Sequence, residues 1–515
     1  MPRSAKLRIS GLLLALLILL SAACAWFIHD RGLPVLSVSA MTMGAGAGAK
    51  LACSGVYLQG RAPEVVVERD LRPLLAPLLT HAHFAFDAAR ATASASYFGL
   101  FKRTALYRPG LGCTLMIDTT RDELLAQSSA IAAPPADPDP QAPWPLGRGV
   151  EPVRPEEALN RSALAQAIDA AFAEDTPGVT IDTRALVVVH RGKLVAERYA
   201  PGFDPDSRFL AWSASKSVTS ALIGTLVTDG VLALDAPAPI AAWRAPGDPR
   251  GAITLRQLLT MTDGLDFVEH PYAPGNDSTN MLFKAPDMAA YTASKPLAHP
   301  PGSHWSYSSG TTNLLSQIIF DAVGGDLPSL QRYVRERFFG PAAMHSAVFE
   351  VDVSGAQVGS SYFYATARDW ARFGLLFLNK GMINGRQLLS PDYVVFATTP
   401  IEQLPDGRYG GQFWLNAGDP AAPEKRRLPD APRDIYMAAG FNDEYIVVVP
   451  SRDTVIVRAG WTNGGRFDLN RHVAAILAAL PTETDERRSK ARAPELPAFT
   501  ANLAATPGDI TGDNP

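Results

Sequence analysis

Apolar residues follow a strand pattern at both ends of one long segment of the chain. RALVVVHRGKLVAERYA gives two apolar runs broken at Arg191–Gly192, which predicts a β-hairpin. EYIVVVP and DTVIVRAG, separated by a turn at 450–452, predict two more strands. Apolar residues recur at helical spacing in the sequence between, from about Ala214 to Asp229 and in ITLRQLLTMT, NLLSQIIFDAV and ATARDWARFGLLFLN. The segment 156–480 is therefore predicted to form an antiparallel sheet flanked by helices, an α+β fold.

Two further helices, NRSALAQAIDAAFAE and LNRHVAAILAAL, are predicted near the ends of this segment. The range 44–130 is predicted to form a smaller accessory unit, with LACSGVYLQG and TALYRPGLGCTLMI as short strands and PEVVVERDLRPLLAPLL as helix. Eight prolines follow between 131 and 155, and this density predicts an extended connector. The last residues, 481–515, are charged and weakly patterned, which predicts a mobile tail.

The amino terminus, 1–43, contains 20 consecutive residues without a charge, from Ile9 to Ile28. A helix of that length just crosses a bilayer. Basic residues precede it, so the positive-inside rule predicts that the remaining chain is exported. Three fates stay open for the segment: an inner-membrane anchor facing the periplasm, a cleaved signal peptide, and a lipoprotein signal acylated at Cys24, although Ser21 stands where that motif prefers leucine.

Composition excludes several classes of protein. Lys and Arg number 47 against 51 Asp and Glu, a formal net charge of −4, which excludes nucleic-acid binding by bulk basic charge. Hydrophobic residues make up 47% of the chain, enough for a large core. None of the three cysteines forms a CxxC pair, so a zinc ribbon and a thioredoxin-type site are excluded. The nine histidines show no ligand spacing, and we expect neither a metal nor another cofactor.

Cys53 and Cys113 are the pair of cysteines beyond the amino-terminal segment. Export would permit a disulfide between them. A bridge across this separation of 60 residues would stabilise the fold by about 4 kcal/mol in the chain-entropy model. Two free buried thiols are the alternative.

Candidate chemistry centres on Ser213–Ala214–Ser215–Lys216, since the chain has no GxSxG, HExxH or GxxxxGK[ST] motif. A serine and a lysine three residues apart share one face of a helix. If Ser213 begins the helix, Lys216 lies one turn behind it. There a lysine removed from water can act as a neutral base for the serine hydroxyl. The alternative is a helix-capping serine and a solvated lysine.

A phenol follows about ninety residues later, at Tyr307 in PPGSHWSYSSGTTNLL. The prolines and glycine before it place it on a loop that leads into an apolar helix. A tyrosine beside a cationic lysine can act as a base or proton shuttle. The alternative is an ordinary aromatic residue at the edge of a loop.

These segments resemble the penicillin-binding-protein-like serine hydrolases. That family includes class C β-lactamases, D-alanyl-D-alanine carboxypeptidases, family VIII esterases and 6-aminohexanoate-dimer hydrolases. The resemblance lies, in the family's order, in SASK at 213–216, ITLRQLLTMTDGL at 253–265, PPGSHWSYSSGTTNLLSQII at 300–319, GSSYFYATARDWARFGLLFLNKG at 359–381 and GFNDEYIVVVPSRDTVIVRAG at 440–460. AKLACSGVYLQGR also resembles the leading segment of the 6-aminohexanoate-dimer hydrolase subgroup. The resemblance implies a serine β-lactamase/DD-peptidase-like fold, in which an all-helical subdomain accompanies the sheet.

The resemblance also implies roles for individual residues. Ser213 would be the acylated nucleophile, Lys216 its activating partner and Tyr307 the second member of the proton relay. The backbone amides of Ser213 and Phe441 would form the oxyanion hole. Ser309 stands where the family's Tyr-x-Asn motif has an amide that orients substrate.

The family's third motif, Lys/His-x-Gly, aligns with Ala438–Ala439–Gly440, so the cationic side chain is missing. A charged hydrogen bond is typically worth about 1.5–3 kcal/mol, and its loss predicts inefficient β-lactam hydrolysis. Gly440 still permits close approach of the backbone. A plain edge strand is the alternative for this segment.

Two further residues are candidates for substrate binding. Asp277 in PGNDSTN is a candidate partner for a substrate amine or amide, against the alternative of a solvated loop. Trp414 in GGQFWLN is a candidate for the cleft wall, against the alternative of a core tryptophan.

The sequence thus predicts an exported serine hydrolase that cleaves an amide or ester through an acyl-Ser213 intermediate. The expected substrate is a small molecule or short peptide, and the amino-terminal segment is the expected contact with the membrane. A peptidoglycan DD-peptidase or weak β-lactamase is the first alternative. A non-catalytic peptide- or cell-wall-binding protein on the same fold is the second. The substrate itself and the oligomeric state stay open.

Overall fold

A computed structural model describes residues 37–74, 76, 81–131, 142–147, 149, 159–173, 179–270 and 275–482 of the 515. The predicted membrane segment at Ile9–Ile28, Cys24 and all but the first two residues of the predicted tail lie outside these ranges. Within them, the helices are all too short or too polar to cross a membrane.

The strands, listed in chain order, are β1 His83–Asp87, β2 Thr92–Tyr97, β3 Leu100–Arg108, β4 Gly112–Leu115, β5 Thr183–His190, β6 Lys193–Tyr199, β7 Arg208–Leu210, β8 Val348–Phe349, β9 Phe363–Thr366, β10 Met382–Ile383, β11 Arg386–Gln387, β12 Trp414–Leu415, β13 Tyr436–Gly440, β14 Glu444–Val449 and β15 Thr454–Gly460. The largest sheet has the order β12–β13–β14–β15–β5–β6. Smaller sheets have the orders β1–β2–β3–β4, β7–β9–β8 and β10–β11.

The longer α-helices are α1 Val38–Cys53, α2 Arg121–Ser128, α3 Arg161–Ala171, α4 Ser215–Thr228, α5 Leu255–Leu259, α6 Asp277–Lys284, α7 Met288–Ala293, α8 Ser309–Ala322, α9 Leu327–Tyr333, α10 Ala367–Leu378, α11 Pro391–Ala397 and α12 Leu469–Ala479. Short helical turns connect them, of the α type at Pro63–Val65 and Arg72–Leu74, of the π type at Ser54–Leu58, Val66–Leu71 and Val334–Phe339, and of the 3-10 type at Trp212–Ala214, Ala241–Trp243, Pro249–Ala252, Pro423–Lys425, Phe441–Asp443 and Pro450–Arg452.

The six-stranded sheet confirms that strands from the two ends of the segment 156–480 pair with each other. β15 runs antiparallel to β5, with Val457 opposite Val187. The β5–β6 hairpin turns at Arg191 and Gly192, where φ is 52° and 73°. Such a turn matches the twist of the flanking strands. β5, β14 and β15 are buried along their whole length, so this sheet is the central layer of the fold.

Helices cover both faces of the sheet, as the predicted α+β fold requires. α10 packs against β5, β14 and β15, and Gly374 permits the close approach because a Cβ there would lie 2.4 Å from Val455. α3 and α12 pack together with the opposite face. α8 packs against α4, α5 and α7 in the helical region beside the sheet. The predicted helices of the segment 156–480 are thereby confirmed.

The prediction of a strand at LACSGVYLQG is wrong, because α1 runs to Cys53 and continues into the π-helical turn Ser54–Leu58. α1 also begins at Val38, inside the range 1–43 predicted as signal or anchor. Its small residues are buried on nearly every side, so the helix shows no one-sided apolar period. The strands predicted in TALYRPGLGCTLMI are confirmed as β3 and β4, which pair antiparallel.

The amino-terminal unit, residues 37–131, is not a separate body but shares a hydrophobic core with the rest of the chain. A disulfide joins Cys53, at the end of α1, to Cys113 on β4. Lys50 forms a buried ion pair with Glu350. Glu350 also accepts hydrogen bonds from the Ser54 hydroxyl at 2.8 Å and the Cys113 N–H at 2.6 Å.

A second buried cluster ties the same unit to the central sheet. The Arg184 guanidinium on β5 is ion-paired with Asp70 and Asp182, at 2.5 Å and 2.8 Å. Residues 142–147 and 149 of the predicted connector also lie against the domain, since Arg372 on α10 donates to the backbone carbonyls at 145 and 147.

Candidate active site

Ser213 lies in a 3-10 turn between β7 and α4, at the junction of the sheet and the helical region. Trp212 before it has a left-handed backbone, φ 47°, which for a bulky residue costs about 1–3 kcal/mol. Trp212 is nevertheless held in place, because its ring packs edge-on against Phe441, with centroids 5.6 Å apart. The surrounding structure thus fixes the turn that presents the serine.

Gly440 brings β13 against this turn. A Cβ at Gly440 would lie 2.1 Å from the carbonyl oxygen of Ala211, so only glycine fits there. Phe441 follows directly and opens a 3-10 turn. The backbone at 440–441 therefore lies beside the segment that carries Ser213, where an oxyanion hole made of the Ser213 and Phe441 amides requires it.

Lys216 lies one helical turn behind Ser213 and is almost completely buried, with 1% of its surface exposed. Its Nζ is 3.2 Å from Ser213 Oγ, 2.9 Å from Ser309 Oγ and 3.2 Å from the carbonyl oxygen of Ser360. All three partners are neutral oxygens. Among the described residues no carboxylate forms an ion pair with Lys216, whose polar contacts are these two hydroxyls and one carbonyl oxygen.

Tyr307 meets Lys216 through its ring, whose centroid is 4.7 Å from the lysine Nζ. The ring also stacks on Trp414 at 5.5 Å and packs edge-on against Tyr409 at 6.1 Å. Burial raises the pKa of Tyr409 well above its ordinary value, so that phenol stays neutral. This aromatic wall holds Tyr307 in place over the lysine.

Ser309 is the first residue of α8 and lies between Lys216 and an acidic residue. Its hydroxyl donates to Glu269 at 2.9 Å, and its backbone N–H donates to the other oxygen of the same carboxylate. Sequence reasoning missed Glu269. It lies 40 residues from Ser309 on a loop, and no motif marks it.

These groups open into a cleft of about 1100 Å³. Its wall contains Ser213, Glu269, Tyr307, Trp414, Ala439 and Gly440, and also Pro73, Leu74 and Ala76 from the amino-terminal unit. Trp414 thus belongs to the cleft wall. Ala438 on β13 does not belong to the wall, because its side chain is buried in the hydrophobic core.

Asp277 lies away from this cleft, at the start of α6. Its carboxylate is ion-paired with Lys295 and accepts hydrogen bonds from the Tyr291 hydroxyl at 2.6 Å and the Val268 N–H at 2.9 Å. Partial burial raises the pKa of Asp277, but the hydrogen bonds from Lys295, Tyr291 and the Val268 N–H outweigh it, so the pKa is lowered. The carboxylate of Asp277 therefore binds three groups of the protein itself and does not face the cleft. Across the described ranges, no group of three or more His, Cys, Asp or Glu residues could hold a metal ion.

Comparison with known proteins shows which family the sequence matches. A family model described as Beta-lactamase matches residues 164–491. The 6-aminohexanoate-dimer hydrolase of Paenarthrobacter ureafaciens is 23% identical over 304 residues, which cover 54% of this chain and 72% of that protein.

Solved structures with a similar fold include a penicillin-binding protein homologue from Caulobacter crescentus. It is 18% identical with a TM-score of 0.46, and the match covers 64% of this chain and 99% of that one. A family VIII carboxylesterase is 13% identical with a TM-score of 0.47, and the match covers 64% of this chain and 98% of that one.

Proposed function

Because the chain belongs to the Beta-lactamase family of serine hydrolases, we propose that it hydrolyses an amide or ester through an acyl-Ser213 intermediate. The observation that carries the proposal is Lys216, buried 3.2 Å from Ser213 Oγ among neutral oxygens. A lysine in such a place can take up the serine proton and return it. A structural lysine would instead be expected to have a carboxylate partner.

In the acylation step, Ser213 Oγ attacks the substrate carbonyl carbon and its proton passes to the Lys216 amine. The backbone amides of Ser213 and Phe441 hold the oxyanion. The C–N or C–O bond then breaks, and the leaving group receives the proton, with Tyr307 as the relay from Lys216. In the second step water attacks the acyl carbon, its proton follows the same route, and Ser213 is released as the free hydroxyl.

A fluorophosphonate probe and a short p-nitrophenyl ester test the proposal. The wild-type protein should gain the mass of one probe on Ser213 and show a burst of nitrophenol. Ser213→Ala should do neither, whereas the neighbouring Ser217→Ala should behave as the wild type. If Ser213 stays unlabelled in the folded protein, or if Ser213→Ala turns over the ester equally fast, the hydrolase proposal is wrong. A non-catalytic binding protein on the same fold is then favoured.

For the substrate class, we propose a linear amide or ester rather than a β-lactam. The support is that Ala438 supplies no cation for a β-lactam carboxylate, and that a relative is named for 6-aminohexanoate dimers. The test compares turnover of that dimer and of short esters with turnover of a penicillin. Release of D-alanine from a muropeptide, measured in parallel, checks the alternative DD-peptidase activity.

We also propose that the protein works outside the cytoplasm. Two observations support export: the uncharged segment from Ile9 to Ile28 and the disulfide between Cys53 and Cys113, which an oxidising compartment permits. Cell fractionation followed by intact-mass measurement tests it. A retained, cleaved or acylated amino terminus gives three different masses. Recovery of the full-length chain, with both thiols free, in the cytoplasmic fraction would contradict the proposal.

A further inference from the structure

We propose that Glu269 is a positioning residue that sets the direction of the hydrogen bonds around Lys216. In this arrangement the lone pair of the neutral lysine amine faces Ser213. The inference rests on the proposed hydrolase function and goes beyond it. It assigns a role to a carboxylate that touches neither Ser213 nor Lys216 and acts through Ser309.

The contacts form a chain with one direction. Ser309 Oγ accepts a hydrogen bond from Lys216 at 2.9 Å and donates its proton to Glu269 at 2.9 Å. A carboxylate can only accept hydrogen bonds. With its proton committed to Glu269, the Ser309 hydroxyl can only accept from the lysine. Glu269 thereby decides which partner donates at the next hydrogen bond.

The hydrogen-bonding neighbours of Lys216 match the donors and the lone pair of a neutral amine. A neutral primary amine has two N–H bonds and one lone pair. The carbonyl oxygen of Ser360, 3.2 Å away, can only accept and therefore takes one N–H. Ser309 takes the other N–H. Among the described residues, the remaining hydrogen-bonding neighbour of the amine is Ser213 Oγ, at 3.2 Å, and the remaining site on nitrogen is the lone pair that must receive the serine proton.

Glu269 is itself held in a fixed orientation. Its second oxygen accepts the backbone N–H of Ser309, the first residue of the 14-residue helix α8. The amino-terminal end of a helix attracts a carboxylate, which helps to hold the side chain there. In Glu269→Gln the amide oxygen would stay on this N–H and the amide nitrogen would face Ser309 Oγ. The hydroxyl would then be free to donate towards the lysine lone pair, and the chain of hydrogen bonds would reverse.

The first test is the rate at which a fluorophosphonate labels Ser213. We expect Glu269→Gln to slow labelling and the p-nitrophenyl ester burst about 10- to 100-fold, which is less than the roughly 10²–10⁴-fold expected for loss of the base itself, because the base is misdirected and not removed. KM for the ester should stay within about twofold, because the change acts on proton transfer and not on binding. Glu402→Gln, an exposed glutamate outside the cleft wall, is the matched control and should label at the wild-type rate.

Rescue at position 309 separates positioning from a structural role. In Ser309→Asn the amide oxygen accepts from Lys216 without help, so adding Glu269→Gln should cost little. In the protein that keeps Ser309, Glu269→Gln should slow labelling strongly. Three results would overturn this inference while leaving the proposed hydrolase intact. They are labelling of Glu269→Gln at the wild-type rate, a change confined to KM, and an equal loss of labelling rate with Ser309 and with Asn at position 309. Absence of labelling in the wild-type protein would overturn the proposed hydrolase and this inference with it.

Discussion

Among the residues that the structure describes, two lysines are almost completely buried, and their surroundings are opposite. Lys50 on α1 is ion-paired with Glu350, whereas Lys216 on α4 contacts two hydroxyls and a carbonyl oxygen. Burial lowers the pKa of Lys50 and raises that of Glu350, and the contact between them opposes both shifts. The Glu350 carboxylate thus stabilises the charged form of Lys50.

The difference separates a lysine that holds the fold together from one that can exchange a proton. A buried ion pair fixes two parts of a chain relative to each other, and removing one member leaves an uncompensated charge. A buried lysine among neutral acceptors has no such tie to its charged form. Both residues are equally hidden from solvent, so burial alone would not have told them apart.

Lys216→Met should have the largest effect on activity. Removal of the base should lower kcat/KM for a p-nitrophenyl ester by about 10²–10⁴-fold. The free energy of unfolding should change little, because no carboxylate among the described residues loses an ion-pair partner. Ester kinetics and urea unfolding of the same sample measure both effects. Loss of stability with retained specific activity would show that Lys216 is the structural lysine.

Lys50→Met should reverse that outcome. It leaves Glu350 buried without its cation, and breaking a buried pair costs about 3–5 kcal/mol. The fraction that remains folded should keep its wild-type kcat. Adding Glu350→Gln keeps the acceptor for Ser54 and Cys113 without a charge and should recover part of the stability. If the single and double variants unfold at the same urea concentration, the pair does not act as described.

Gly440→Ala tests whether β13 and the serine turn are held as one unit. The added Cβ would lie 2.1 Å from the carbonyl oxygen of Ala211, and overpacking of this kind costs about 1–3 kcal/mol. Displacement of the turn should also lower kcat/KM about tenfold, since small misplacements of reacting groups are costly. Thermal unfolding and ester kinetics check both. Unchanged values would mean that the close approach plays no part in catalysis.

Glu444 offers the most specific test, because among the described residues its buried carboxyl has no lysine partner. Burial raises its pKa to about 8, and Arg458 and the Gly460 N–H oppose this only in part. Between the ordinary carboxyl pKa and about 8, the native protein keeps a proton that the unfolded chain has lost. The free energy of unfolding should therefore fall as pH rises through this window.

Glu444→Gln should remove the contribution of Glu444 to this fall in the free energy of unfolding with pH. Burial raises the pKa of Asp352 to about 7, so Asp352 contributes a fall of the same sign in both proteins. Urea unfolding at several pH values between about 5 and 8 measures the difference. Parallel curves for the wild type and Glu444→Gln would contradict the assignment.

The sheet and the helices of the segment 156–480 could be predicted because each signal is local. The hairpin at Arg191–Gly192 and the helical spacing of apolar residues in α4 can each be recognised from about a dozen neighbouring residues. The family motifs likewise mark Ser213, Lys216 and Tyr307 individually. Their mutual distances, and the contact of Lys216 with the ring of Tyr307, depend on the packing of α4 against α8 and could not be read from spacing.

The missed features are those that join distant parts of the chain or lack a one-sided pattern. Glu350 lies 300 residues from Lys50, and Glu269 lies 40 residues from Ser309. Nothing in either local sequence marks a partner at that distance. The LACSGVYLQG helix was mistaken for a strand because it is surrounded by protein, so its apolar residues do not fall on one face.

The shared core of the amino-terminal unit has a practical consequence for anyone who produces this protein. The family match begins at residue 164, and a recombinant chain started there would follow that boundary. It would lack α1 and the cation for Glu350, and it would lose the part of the cleft wall formed by Pro73 and Leu74. Such a chain would be prone to aggregate, and any selectivity measured on it would not be that of the complete cleft. Expression should therefore begin at or before Val38.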